Sequence, residues 1–247
     1  MAHRRRLSGT KEIGMTDIEK GRWALGGATP ADILGRLPHM QRVMAVLKGN
    51  GATHERIGAV GTVRAEGDWI ALGGAVHTAR IDAARLAGVT LDTSSEMGGQ
   101  VYPSLDFTDA EGASVLRIVG MDGADAVVGA LDGLMRRAVD AVPRIRPAGD
   151  APKDFSDDPG LVLLERLRDE GTAVTIRAAH PGCEQSWHGR IETVKPGMGF
   201  ANVMTPDFHL HLRAGTVSGW REDGDRFVAL GPDSVETGLV IERVAAE

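Results

Sequence analysis

Asn202-Val-Met-Thr-Pro-Asp-Phe-His-Leu-His-Leu212 is the stretch from which the fold can be read. After Pro206 the residues alternate strictly: Phe208, Leu210 and Leu212 are apolar, His209 and His211 are not. In an extended strand successive side chains point to opposite faces. This segment is therefore a half-buried strand with three apolar side chains turned inward and two imidazoles on its other face.

Similar runs surround it. The segments 58–64, 69–72, 101–107, 114–119, 174–178, 189–194, 226–230 and 238–244 are short, alternating or β-branched, and punctuated by glycine. Their spacing of about ten residues, with no helix between each pair, points to hairpins and meanders rather than parallel βαβ units. Two helices are expected. One covers 121–141, with Asp122 as N-cap and Val127, Val128, Leu131, Leu134 and Met135 at helical spacing; the other covers 160–170, stopped by Gly171. Between them, 142–160 carries Pro143, Pro147, Pro152 and Pro159, a composition that resists both helix and sheet.

That linker divides the chain into two modules, and a weak repeat agrees. Gly61-Thr-Val matches Gly189-Arg-Ile, Trp69 falls near Phe200, His77 matches His209, and 109–112 matches 235–238, at separations of 126 to 132 residues. The expected organisation is a flexible extension (1–22), a first module (23–141), the linker (142–160) and a second module (161–247). A second methionine, Met15, leaves the start of the chain open.

A net charge of −6 argues against whole-molecule attraction to nucleic acid, because phosphate binding needs clustered Lys and Arg. The one dense basic run, Arg4-Arg5-Arg6, is not followed by the apolar segment of a secretion signal, and no stretch approaches the roughly 18 apolar residues of a membrane helix. A cytoplasmic protein is expected, with neither nucleic acid nor membrane as partner. Cys183 stands alone, which excludes an intramolecular disulfide and a cysteine-based zinc site. Exposed sheet edges would allow a homodimer.

The chemistry rests with histidine. Two imidazoles on one strand face can bind a metal, with His188, His180 or a carboxylate such as Asp207 as third ligand; the same pattern also fits an ordinary half-exposed strand. His54 precedes Glu55, which faces away from it if the segment is extended, and His77 reads as a surface residue. No Gly-x-Ser-x-Gly elbow, phosphate-binding loop or His-Glu-x-x-His helix is present, so the sequence gives little independent support for an enzyme and leaves the question open.

Met40-Gln-Arg-Val-Met-Ala-Val-Leu-Lys-Gly-Asn50 followed by Thr53-His-Glu-Arg-Ile-Gly58 resembles a segment of the hemin-degrading, HemS/ChuX-like family, and Tyr102-Pro-Ser-Leu-Asp-Phe-Thr-Asp-Ala-Glu-Gly112 resembles its next strand and turn. Gly182-Cys-Glu-Gln-Ser-Trp-His-Gly189 and the opening stretch, 202–212, extend the likeness into the second half. The resemblance implies an α+β fold of two similar modules, each a large antiparallel sheet with flanking helices. It implies haem or a related tetrapyrrole as ligand, and a role in carrying haem or assisting its breakdown. The family's axial-histidine segment aligns with 158–164, which holds no histidine, so the iron ligand is sought among His209, His211, His188 and His54. Two alternatives stay open: a non-haem interaction or regulatory module on the same scaffold, and a metal-dependent enzyme built on the two strand histidines.

Overall fold

The computed structural model describes residues 19–140 and 155–244. Most of the expected extension and linker lies outside them. The first half runs β1 (Arg22–Gly26), α1 (Pro30–Leu34), β2 (Arg42–Gly49), β3 (Ala52–Ala59), β4 (Thr62–Glu66), β5 (Trp69–Gly73), β6 (Ala79–Asp82), β7 (Gly88–Asp92), β8 (Glu96–Met97), β9 (Gln100–Val101), β10 (Ser104–Thr108), β11 (Ser114–Gly120), α2 (Asp125–Ala130) and β12 (Met135–Ala138). The second half runs α3 (Pro159–Glu170), β13 (Ala173–His180), β14 (Cys183–Arg190), β15 (Val194–Gly197), β16 (Phe200–Met204), β17 (Phe208–Arg213), β18 (Gly219–Asp223), β19 (Arg226–Leu230) and β20 (Glu236–Arg243).

Two large antiparallel sheets result, and each draws strands from both halves. One has the order β12-β1-β7-β10-β11-β2-β3-β17-β16-β15; the other is β18-β19-β20-β13-β14-β6-β5-β4. A long hairpin lies within each. β2 and β3 are joined by Asn50 and Gly51, both at positive φ (46° and 83°), the backbone a two-residue hairpin turn needs. β13 and β14 turn at Pro181 and Gly182, the latter at φ 88°.

The two junctions between the halves are equivalent. β17 joins β3 with Leu210 opposite His54 and His211 opposite Thr53; β6 joins β14 with Ala79 opposite Gln185 and Arg80 opposite Glu184. Every one of these pairs is carried onto the other by the same offset of 131 residues (His54 to Gln185, Arg80 to His211). The axis of that relation passes between His54 and Gln185. Gln185 donates from Nε2 to His54 Nδ1 (2.9 Å) and to the Ala45 carbonyl oxygen (3.2 Å), while His54 Nε2 lies 3.2 Å from the Ile176 carbonyl oxygen. Ala45 and Ile176 are themselves 131 residues apart, so each side chain reaches across the axis to an equivalent carbonyl. Buried apolar side chains of both sheets surround this knot, among them Val43, Ala45, Leu47, Ile81 and Cys183 on one side and Ile176, Trp187, Phe208 and Leu210 on the other.

Helix α3 is close to its sequence expectation. Asp158 accepts from the backbone amides of Gly160 and Leu161, Pro159 occupies the first turn, and Gly171 ends the helix in the left-handed region. The expected helix 121–141 is corrected. Only Asp125–Ala130 is α-helical, and Met135–Ala138 is instead an edge strand paired with β1. Gly129 and Gly133 (φ 81°) weaken the helix, and Asp122 does not cap it but binds the Arg42 side chain (Oδ1 to Nε 3.2 Å). The expected strands 58–64 and 189–194 are also corrected, since both are interrupted where the chain leaves one sheet for the other. These are the same crossover, met once in each half.

Candidate functional site

The register of β3 against β17 builds the site. Glu55 stands opposite His209, and Thr53 opposite His211, on the sheet face turned away from the core. Phe208, Leu210 and Leu212 fill the other face and are buried, as the alternation requires. Glu55 Oε2 lies 3.2 Å from His209 Nδ1 and 3.7 Å from His211 Nε2. The two imidazole rings meet edge to face with centroids 5.9 Å apart. One ligand atom from each of the three residues falls within 4.8 Å of the others.

Burial works to raise the pKa of Glu55, yet the hydrogen bonds and charges of His209 and His211 outweigh it and hold the carboxyl at about 2. Glu55 is thus an anion at neutral pH. A further side chain fixes one ring: His211 Nδ1 lies 2.6 Å from Asn202 Oδ1, while Asn202 Nδ2 donates to the carbonyl oxygens of Lys195 (2.9 Å) and Phe200 (3.1 Å).

The four expected ligands are not brought together. His209 and His211 share the site. His188 is exposed on the other sheet, its Nδ1 3.4 Å from the Thr175 hydroxyl. His54 is wholly buried with both ring nitrogens hydrogen-bonded, and desolvation drives its pKa down to about 3. It is a neutral core histidine that no planar macrocycle reaches without parting the sheets. Asp207 is not the third ligand either; it pairs with Arg56 (3.3 Å) and accepts from the Thr205 hydroxyl (2.8 Å). His77, expected at the surface, is buried, its Nε2 2.9 Å from the Gly58 carbonyl oxygen. Cys183 is buried and its thiol is pushed up to about 12 by desolvation, which makes it inert. Glu55 is the member that sequence reasoning missed. Its position beside His54 is legible, but its true partners lie 154 residues away.

Residues 10–128 match the haemin-degrading HemS.ChuX domain family. Among solved structures, the fold is similar to that of ChuS, a heme oxygenase of Escherichia coli: 18% identity, TM-score 0.70, covering 92% of this chain and 84% of that one. It is equally similar to holo-PhuS, a heme-binding protein from Pseudomonas aeruginosa, at 16% identity and TM-score 0.71, covering 92% and 82%. Over residues 10–128 the chain carries a HemS/ChuX-type domain, and its fold is that of ChuS and PhuS. No curated protein matches it by sequence. The family's scaffold of large antiparallel sheets and few helices is present here, and no helix among the described residues is long and apolar enough to cross a membrane.

Proposed function

We propose that this protein binds haem in the cytoplasm and passes it on, with His209 as the residue that meets the iron. The observation that carries the reading is the state of the His209 ring. Its Nδ1 faces the Glu55 carboxylate at 3.2 Å, its Nε2 has no hydrogen-bond partner among the described residues, and the side chain is 22% exposed. A carboxylate on Nδ1–H fixes the tautomer and raises the basicity of the free nitrogen, which is how metal-bound imidazoles are commonly held.

The surrounding face suits the ligand. Lys195, Asn202, His211, Thr53 and Lys48 form one cross-strand row, which sets each lysine two strands, or about 10 Å, from His211. The two propionates leave one edge of a porphyrin, so a haem on this face would turn that edge towards one lysine or the other. Val46 and Met204 lie on the same face in the neighbouring row, beside Glu55 and His209, and offer apolar contact. Haem, when bound, brings the iron and any oxidative chemistry; the protein supplies binding and orientation. Because this face is open on one side, carriage and hand-over describe it better than catalysis.

Titration with hemin, followed by Soret absorbance, tests the reading. The expected result is a band that shifts and saturates at one haem per chain, is lost in His209→Ala and persists in His211→Ala. An unshifted wild-type spectrum overturns it. One observation favours the other reading, an interaction or regulatory module without haem. In the segment aligned with the family's axial histidine, Gly160 is so close to Leu212 that an added Cβ would meet Leu212 Cδ2 at 2.6 Å, so a side chain there requires Leu212 to shift. Protein that stays colourless when purified from haem-supplemented cells is the outcome that reading expects.

A further inference from the structure

We propose that Glu55, His209 and His211 also form a chelating site for a divalent first-row transition cation, taken up by the haem-free protein. Such a site goes beyond haem binding and does not depend on it. Asn202 Nδ2 is committed to the carbonyl oxygens of Lys195 and Phe200, so its Oδ1 must accept from His211 Nδ1 at 2.6 Å. His211 Nδ1 therefore carries a hydrogen. In the neutral ring the lone pair then sits on Nε2, 3.7 Å from Glu55 Oε2. Two acceptors pointed at each other repel unless a proton or a cation lies between them.

The donor set answers which cation. Two imidazole nitrogens and one carboxylate oxygen, from two adjacent strands, gather within 4.8 Å. Two histidines and a carboxylate on one side of an ion, with the remaining positions open, are the ligand set of divalent iron, cobalt, nickel and zinc rather than of calcium or magnesium, which prefer oxygen. The carboxylate offsets part of the ion's charge, and Asn202 holds His211 as an outer partner holds a ligating imidazole. Side-chain exposures of 13% for Glu55, 22% for His209 and 28% for His211 leave a solvent path on one side.

His209 would join through Nδ1, with its hydrogen on Nε2. That is the opposite tautomer from the one that presents Nε2 to haem iron, so cation and haem exclude each other at this residue.

Cobalt(II) titration of the full, tag-free, haem-free chain tests the site by visible ligand-field absorption. One ion per chain is expected. Glu55→Gln, His209→Ala and His211→Ala should each weaken binding at least tenfold, and Asn202→Ala, a positioning change, about tenfold. Circular dichroism and melting of each variant separate loss of ligand from loss of fold, and Glu55→Gln preserves side-chain size. No uptake by the wild type, or undiminished uptake in folded Glu55→Gln and His211→Ala, overturns the inference. The two readings fail separately: His211→Ala should lose cobalt yet keep the hemin band, and a protein indifferent to hemin can still bind cobalt.

Discussion

At the β3–β17 junction the outward face carries Glu55, His209 and His211; at the related β14–β6 junction the equivalent positions hold Ser186, Thr78 and Arg80. The backbone register is the same and the chemistry is not. At the second junction Arg80 pairs with Glu184 (3.3 Å) and lies over the Trp69 ring (5.0 Å), beside a hollow of about 310 Å³ lined by Thr78, Arg177 and Ser186. There the charged side chain is satisfied by its neighbours. At the first junction a partly buried carboxylate is flanked by two imidazoles, and His209 Nε2 has no hydrogen-bond partner among the described residues. Repetition thus made one geometry twice, and side-chain choice gathered metal-ligating groups in a single copy.

The largest test of this comparison is at the axis. His54→Ala removes the hydrogen bond to the Ile176 carbonyl and opens a cavity between the sheets, so urea unfolding should show a loss of about 3 kcal/mol or more. Exchanging the pair, His54→Gln with Gln185→His, should recover most of that loss, because each side chain would find the carbonyl its counterpart now uses. No recovery would break the two-fold relation at the axis.

Acid gives the next effect. His54 titrates near 6.5 when unfolded and is depressed to about 3 in the fold, so the unfolded chain binds the extra proton. Its contribution is complete above pH 6.5 and is lost as pH falls towards 3, on the order of 3 kcal/mol between pH 7 and 4. His77, also depressed by burial, acts in the same direction. The urea midpoint should therefore fall across this range, less steeply in His54→Gln; a flat wild-type profile contradicts the assignment of His54 as a neutral core residue.

The comparison can also be sharpened by copying the site. Ser186→Glu, Thr78→His and Arg80→His together place the same three donors at the second junction, and cobalt stoichiometry should rise from one to two. Arg80→Ala alone is the smallest change: its ion pairs are exposed, so stability should move by less than about 1 kcal/mol, with hemin and cobalt titrations unaltered.

Parts of this were plain in the linear text. Asp158, Pro159 and Gly171 mark helix α3 because a capping oxygen, a pre-set φ and a left-handed stop are local properties. The strand 208–213 was legible for the same reason, since alternation with period two has one local solution. The crossovers at 58–64 and 189–194 were not. Alternation runs on through Gly58–Val63 and Gly189–Val194 while the chain changes sheets, and no local rule tells a straight strand from one that transfers. The segment 135–138 deceived in another way, because Met135 and its neighbours have helical spacing but the open edge of β1 offered a full ladder of hydrogen bonds. Glu55 could be placed on the face opposite His54, yet nothing nearby in sequence indicated what stood across from it.

What the sequence settled by itself was the inward and outward faces of the strand 208–213 and the second-half helix, because these follow from a period of two residues and from single capping groups; the repeat it suggested matched His77 with His209, one residue off the structural equivalence of Thr78 with His209. Only the tertiary structure decided that strands are traded between the halves, that His54 serves the core while His209 and His211 serve the surface, and that Glu55 lies between those two rings. Register between strands more than 150 residues apart is fixed by the burial of Phe208, Leu210 and Leu212 against the opposite sheet, an energy that exists only once both sheets are present.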